Sequence, residues 1–273
     1  MDQPLATALY LVIRLDRPLL IEGHAGVGKT EVAKTLATFL ERPLIRLQCY
    51  EGLDVNSAVY EWNYQKQLLA IKVQERSNKA VEEKEAHVFS SEFLLKRPLL
   101  QSISSEEISP VLLVDEIDRA DEAFEALLLE ILSEFQISIP EVGTIKAKRI
   151  PYVILTSNNT RELSDALKRR CLYHWIDYPE FEKEMKIVQC RLPAIGMDLS
   201  RQVVKFVNAL RDLSLSKNPG VAETLDLSRA LLLLGKENLD GTTVEEVLGC
   251  VLKSAGDLAK VRAATIDKLL SKT

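Results

Sequence analysis

Residues 22 to 30 read EGHAGVGKT, three glycines leading into a lysine and a threonine. The stretch Gly23-His24-Ala25-Gly26-Val27-Gly28-Lys29-Thr30 fits the pattern G-x-x-x-x-G-K-[ST] without mismatch. Glycines allow successive backbone N–H groups to curl around phosphate oxygens. Lys29 would reach the β- and γ-phosphates, and the Thr30 hydroxyl would hold Mg²⁺. A helix opening at this point adds the positive end of its dipole. The segment therefore reads as a holder for a nucleoside triphosphate; the plainer reading is a glycine turn with no ligand. A second pair of reactive residues, Asp115-Glu116, follows the apolar run VLLV. Asp115 would help position Mg²⁺, and Glu116 would polarise an attacking water. The plainer reading is two solvated acids at the end of a strand.

These groups need elements to carry them. LLIEG before the loop reads as a buried strand, and Val32, Ala33, Leu36, Ala37 and Leu40 after it fall at helical spacing. Pro43 ends that helix, and LIRLQC (44–49) reads as a second strand. Strand, glycine loop, helix, strand is the opening of a parallel α/β sheet. VLLV reads as a central strand of that sheet, whose C-terminal end faces the ligand crevice. Asp121 is placed to cap the next helix, with Phe124, Leu127, Leu128, Ile131, Leu132 and Phe135 as its apolar stripe. QISIPEVGTIKAK reads as a hairpin turning near Glu141–Thr144; 152–158 and 171–176 read as two further strands. An N-terminal helix is expected over 4–15. Residues 51–110 carry weaker signals: YEWNYQKQLLAIKVQ is compatible with a helix, and 72–92 with an exposed helix and loop. Beyond Pro179 the pattern is helical only, near 180–192, 199–213, 222–236, 243–254 and 256–271. A domain boundary is expected there, giving a nucleotide-binding domain over 1–178 and a helical domain over 179–273.

Composition sets the outer limits. The chain has 273 residues and a formal net charge of −5, which argues against broad electrostatic binding to nucleic acid or to an anionic membrane. Its four cysteines are scattered without metal-ligand spacing. Asp2 and the lack of a basic leader argue against a signal peptide, and Arg14 and Asp16 interrupt the first apolar run well short of a bilayer span. A cytoplasmic, soluble protein is expected. His24 and His174 have no metal-binding partner in spacing and read as structural. Tyr60, Trp62 and Tyr64 alternate, as either a packed aromatic cluster or a grip on a client protein.

Taken together, GHAGVGKT, VLLVDE and the later strand ending at Asn158 resemble the AAA+ ATPases. That resemblance implies a P-loop NTPase fold: a three-layer αβα sandwich with a five-stranded parallel sheet in the order 5-1-4-3-2, then an all-α lid. It implies a sensor 1 asparagine that orients the lytic water, for which ILTSNN offers Asn158 and Asn159; Asn158 is favoured because it directly continues the strand. In ALKRRCLYHW it implies an arginine finger completing a neighbouring subunit's site, Arg170 first and Arg169 second. In TLDLSRALLLL it implies a sensor 2 arginine, Arg229; an i, i+3 surface pair with Asp226 is the alternative. Within AAA+ the chain looks most like the MoxR branch, through LQCYEGLD, the segment FQISIPEVGTIKAKRIPYVILTSN and its compact size. YEGLDVNSAVYEWNYQKQLL is similar to the subgroup encoded near carbon monoxide dehydrogenase genes. That likeness implies a hexameric ring that matures, remodels or inserts metal into an enzyme client, with a von Willebrand A-domain protein as partner. One departure stands: sensor 1 is followed by Asn-Thr rather than Asn-Pro. Three other readings share the loop: a nucleic-acid motor or clamp-loader-type ATPase, a small-molecule kinase, and a switch that binds ATP and barely turns it over.

Overall fold

The computed structural model describes residues 2–74 and 81–263. They fall into two compact units, one of the described residues up to Gly23 with those from Lys29 to Trp175, and one of His24–Gly28 with the described residues from Ile176 on.

The first unit opens with helix α1 (Gln3–Leu15), strand β1 (Leu19–Gly23), helix α2 (Lys29–Leu40) and strand β2 (Leu44–Gln48). After the short helix α3 (Val55–Ala58) come β3 (Tyr60–Trp62), α4 (Tyr64–Gln74), α5 (Val81–Val88), β4 (Leu94–Lys96) and α6 (Pro98–Ile103). The remaining elements are β5 (Val111–Asp115), α7 (Glu122–Glu134), β6 (Gln136–Ile139), β7 (Gly143–Lys146), β8 (Tyr152–Ser157), α8 (Asp165–Arg170) and β9 (Leu172–Ile176).

Five of these strands form one sheet in the order β2-β5-β8-β1-β9. The β2–β5, β5–β8 and β8–β1 pairings are parallel. Numbered by themselves along the chain, the five strands read 5-1-4-3-2 from one edge; the labels are higher only because β3-β4 and β6-β7 form separate two-stranded sheets. Every residue of β1 and β5 is buried. Such continuous apolar strands suit a sheet covered by helices on both faces. Leu112, Val114, Val153 and Leu155 share one core cluster with Phe124, Leu128 and Ile131 of α7. Asp121 caps α7 by accepting from the Phe124 amide at 2.8 Å.

Two sequence expectations change. Tyr60–Trp62 is not helical: it pairs antiparallel with Leu94–Lys96, and helix begins only at Tyr64. Asn63 imposes the break, its side chain accepting from the Lys66 amide at 3.0 Å while its own amide donates to Phe93 O at 2.8 Å. The three aromatic residues therefore do not make one surface, for Trp62 is buried and edge-on to Phe89 whereas Tyr64 is exposed. The turn of the β6–β7 hairpin also closes earlier, since Gly143 already pairs with Ile139. Residues 75–80, within the expected exposed helix and loop, lie outside the described residues.

The second unit contains α9 (Phe181–Arg191), α10 (Met197–Arg211), α11 (Val221–Leu233), α12 (Gly241–Val251) and α13 (Ala255–Ala263). The expected helix over 256–271 is described only to 263. Val203, Val207, Leu227, Leu231, Val244 and Leu248 pack into the core of this unit. At its edge lies a buried ion pair. Arg211 donates from Nη1 to Glu184 Oε2 at 2.7 Å and from Nη2 to Oε1 at 2.8 Å, and the Thr224 hydroxyl adds a bond to Oε1 at 2.6 Å. Glu184 is fully buried, and these donors compensate its charge.

Candidate active site

The acid pair stands at the end of β5, an interior strand of the sheet. Asp115 is the last residue of β5 and 2% exposed. Its Oδ1 accepts from the Thr156 hydroxyl at 2.5 Å and from the Thr30 hydroxyl at 3.1 Å. Its Oδ2 accepts from Arg46 Nη2 at 2.6 Å and Nε at 3.1 Å. Strand order explains the convergence: β2 and β8 flank β5, so Arg46 and Thr156 reach the same side chain from either side.

Glu116 follows in the left-handed region, at φ 56° and ψ 50°. A non-glycine residue is costly there, and such strain persists only where surrounding contacts hold it. Here the Glu116 amide donates to the Thr156 hydroxyl at 2.9 Å, so one threonine serves both acids. The Glu116 carboxylate meets Gln48 Nε2 at 3.1 Å and Arg119 Nε at 2.8 Å.

Lys29 opens α2 and is 6% exposed, its ammonium donating to Gly23 O at 2.9 Å. Burial pulls its pKa below the ordinary lysine value, while Asp118, Glu116 and Asp115 act in the opposite sense.

Asn158 directly follows β8, and the turn around it is organised by Asp118. Asp118 accepts from the amides of Asn158 at 3.2 Å and Thr160 at 3.0 Å, and from the Thr160 hydroxyl at 2.6 Å. Burial raises the Asp118 pKa, but these hydrogen bonds outweigh it and the net direction is down. Beyond this turn Arg161 meets the buried Glu125 at 2.5 Å and donates to Ala120 O at 2.7 Å.

Arg169 and Arg170 end α8, both exposed. Arg170 donates from Nε to Ser133 Oγ at 3.0 Å and from Nη1 to Ala166 O at 3.2 Å. Arg17 tethers the helix end, donating to the carbonyls of Arg169 at 2.8 Å and Arg170 at 3.3 Å.

Loop residues 24–28 pack within the second unit. His24 stacks on Tyr178 with centroids 4.5 Å apart, and the Arg211 guanidinium lies 4.7 Å from the Tyr178 ring centroid. Arg211 is itself clamped by Glu184. Gly26 adopts φ +75°, and its carbonyl accepts from the Ala222 amide at 3.2 Å. Gly220 approaches so closely that an added Cβ would lie 2.6 Å from Ala25 O and 2.9 Å from Gly26 Cα. Those are backbone atoms and cannot rotate away. Gly220→Ala is therefore expected to lower stability by about 1–3 kcal/mol through overpacking. Denaturant unfolding, with amide exchange at Ala222 as a local probe, checks it; wild-type values for both would show that the contact yields.

Arg229 lies far from the start of α11, and its guanidinium is 3.8 Å from Asp226, with both side chains largely exposed. The i, i+3 surface pair is thus the arrangement seen. The residues of α11 against the loop are Ala222 and Glu223, Glu223 capping the Gly220 amide at 2.9 Å. Arg46, Gln48, Thr156 and Asp118 were not singled out in the sequence. The signal for the first two was available: polar residues at i and i+2 of a strand share one face.

The chain is similar to several known proteins. An uncharacterized protein of Staphylococcus aureus strain USA300 is 26% identical over 225 residues, covering 80% of this chain and 76% of its own. A RuvB mutant structure from Thermotoga maritima superposes with a TM-score of 0.53 at 17% identity, covering 90% of this chain and 67% of its own. The FIGL-1 AAA domain superposes with a TM-score of 0.50 at 16% identity, covering 97% and 85%. At such identities the two structures speak to fold alone. The pattern of the AAA domain family, dynein-related subfamily, matches residues 18–171, more than half of the chain. The chain belongs to that family and is an AAA-type ATPase.

Proposed function

We propose that this chain is a Mg²⁺-dependent ATPase that works as a ring and remodels a partner protein. The observation that supports this most is the cluster at the end of β5, where the Thr30 hydroxyl lies 3.1 Å from Asp115 and Glu116 comes next. A hydroxyl and a carboxylate, completed by phosphate oxygens and waters, form the oxygen ligand set that Mg²⁺ takes. Bound there, the cation supplies neutralisation of charge on the phosphate oxygens.

The backbone of 23–28 would cradle the phosphates, and Lys29 would balance their charge. Glu116 would accept the proton of the attacking water, and Asn158 would orient that water. Arg170, or Arg169 as second candidate, would complete the site of the neighbouring subunit. Arg229 would join only by leaving Asp226. We assign nucleotide binding to 1–178 and a lid function to 179–273.

The finer assignment is to the MoxR branch, in the subgroup resembling carbon monoxide dehydrogenase maturation ATPases. It rests on LQCYEGLD and on the hairpin segment before Asn158. With it come a von Willebrand A-domain partner and an enzyme client that is matured or given a metal. The net charge of −5 favours a protein client over nucleic acid. No helix among the described residues is long and apolar enough to cross a membrane. We place the chain in the cytoplasm on its sequence.

The test is Mg-ATP turnover per subunit against protein concentration, with light scattering alongside. Ring assembly makes turnover rise steeply as the particle grows to several subunits. Flat turnover by a monomer would overturn the ring.

A further inference from the structure

We propose that Arg46 is a positioning residue that competes with the divalent cation for Asp115 and so sets the cation concentration at which the site loads. This rests on the reading of Thr30 and Asp115 as cation ligands.

Arg46 lies on β2, the edge strand of the sheet, beside Leu113 in register, while Gln48 lies beside Asp115. Two of its guanidinium nitrogens reach the same oxygen of Asp115, at 2.6 and 3.1 Å. The other oxygen takes the hydroxyls of Thr156 and Thr30, and the Thr30 hydroxyl also lies 3.3 Å from the oxygen that Arg46 holds. An ionised carboxylate offers about four lone-pair positions, and four donors occupy them here. A cation that binds Asp115 directly must therefore displace a donor.

The donors differ in their freedom to leave. Thr156 is 1% exposed within β8, and its hydroxyl also holds the Glu116 amide. Thr30 is read as a cation ligand itself. The Arg46 side chain is 50% exposed, long, and rooted on an edge strand. Among these donors to Asp115, Arg46 alone carries a positive charge, which repels a dication. Gln48 Oε1 accepts from Arg46 Nη2 at 2.5 Å and steadies the guanidinium against Asp115. A role as a mere tie between strands is weakly motivated, because β2 and β5 already pair over five residues, Leu44 to Gln48.

The experiment measures Mn²⁺ binding to the full chain by electron paramagnetic resonance with a non-hydrolysable ATP analogue, subtracting the analogue alone. Wild type, Arg46→Gln, Arg46→Lys and Asp115→Asn are compared, with a melting temperature for each. Removing one partly exposed like charge is expected to tighten Mn²⁺ binding about fivefold in Arg46→Gln. Arg46→Lys keeps the charge but loses the fork, and a smaller tightening is expected. Unchanged or weaker binding in Arg46→Gln overturns the proposal; a lowered melting temperature with unchanged binding assigns Arg46 to strand pairing instead. If wild type shows no saturable binding that Asp115→Asn removes, the ligand reading of Asp115 fails first and the proposal falls with it.

Discussion

Glu116→Gln is expected to bind ATP with near wild-type affinity and to hydrolyse it about 100- to 10,000-fold more slowly, the usual contribution of a positioned general base. The substitution is nearly isosteric. A glutamine oxygen can still accept from Gln48 Nε2 and Arg119 Nε, the two groups that hold the side chain now. The left-handed backbone at Glu116 is held by the Thr156 hydroxyl through the amide and does not depend on the carboxylate. What disappears is the negative charge and the basicity that take a proton from water. Single-turnover hydrolysis beside fluorescent-nucleotide affinity separates the two effects. Turnover within about threefold of wild type would remove Glu116 from the chemistry.

Arg170→Ala is expected to lower turnover about 1,000-fold while leaving ATP affinity intact, the scale at which an arginine supplied to a phosphoryl-transfer site acts. The residue makes no buried ion pair; it leans on Ser133 Oγ and the carbonyl of Ala166 at the exposed end of α8. Its loss should therefore cost little stability. The decisive measurement mixes Arg170→Ala with Lys29→Ala, each inactive alone. A shared site predicts recovered activity, because one partner retains the arginine and the other an intact loop. If the mixture stays inactive while Arg169→Ala alone is impaired, the role moves to Arg169. If neither variant loses turnover, the site does not borrow from a neighbour.

The parts of the site legible in the sequence are those made by local runs. β1 and β5 open with apolar runs, LLI and VLLV, that pass into acid, and the loop between β1 and α2 matches a contiguous pattern. The hairpin of β6 and β7 announces itself through alternation around Pro140 and Gly143. β3 and β4 were hidden because each has three residues and pairs with a partner far along the chain. The Arg46–Asp115 and Glu184–Arg211 pairs were hidden for a related reason: sheet order or helix packing joins them, and no spacing encodes that. Arg229 sits in the ninth position of α11, beside Asp226, a placement that residue type and neighbouring sequence leave open.

Arg17 deserves a last consequence. It stands just before β1, the strand that runs into the phosphate loop, and grips the carbonyls of Arg169 and Arg170 at the end of α8. The start of β1 and the end of α8 are thereby yoked to one guanidinium. The approach to the phosphate loop and the end of α8 are therefore mechanically joined, so a displacement of either is resisted by the same side chain.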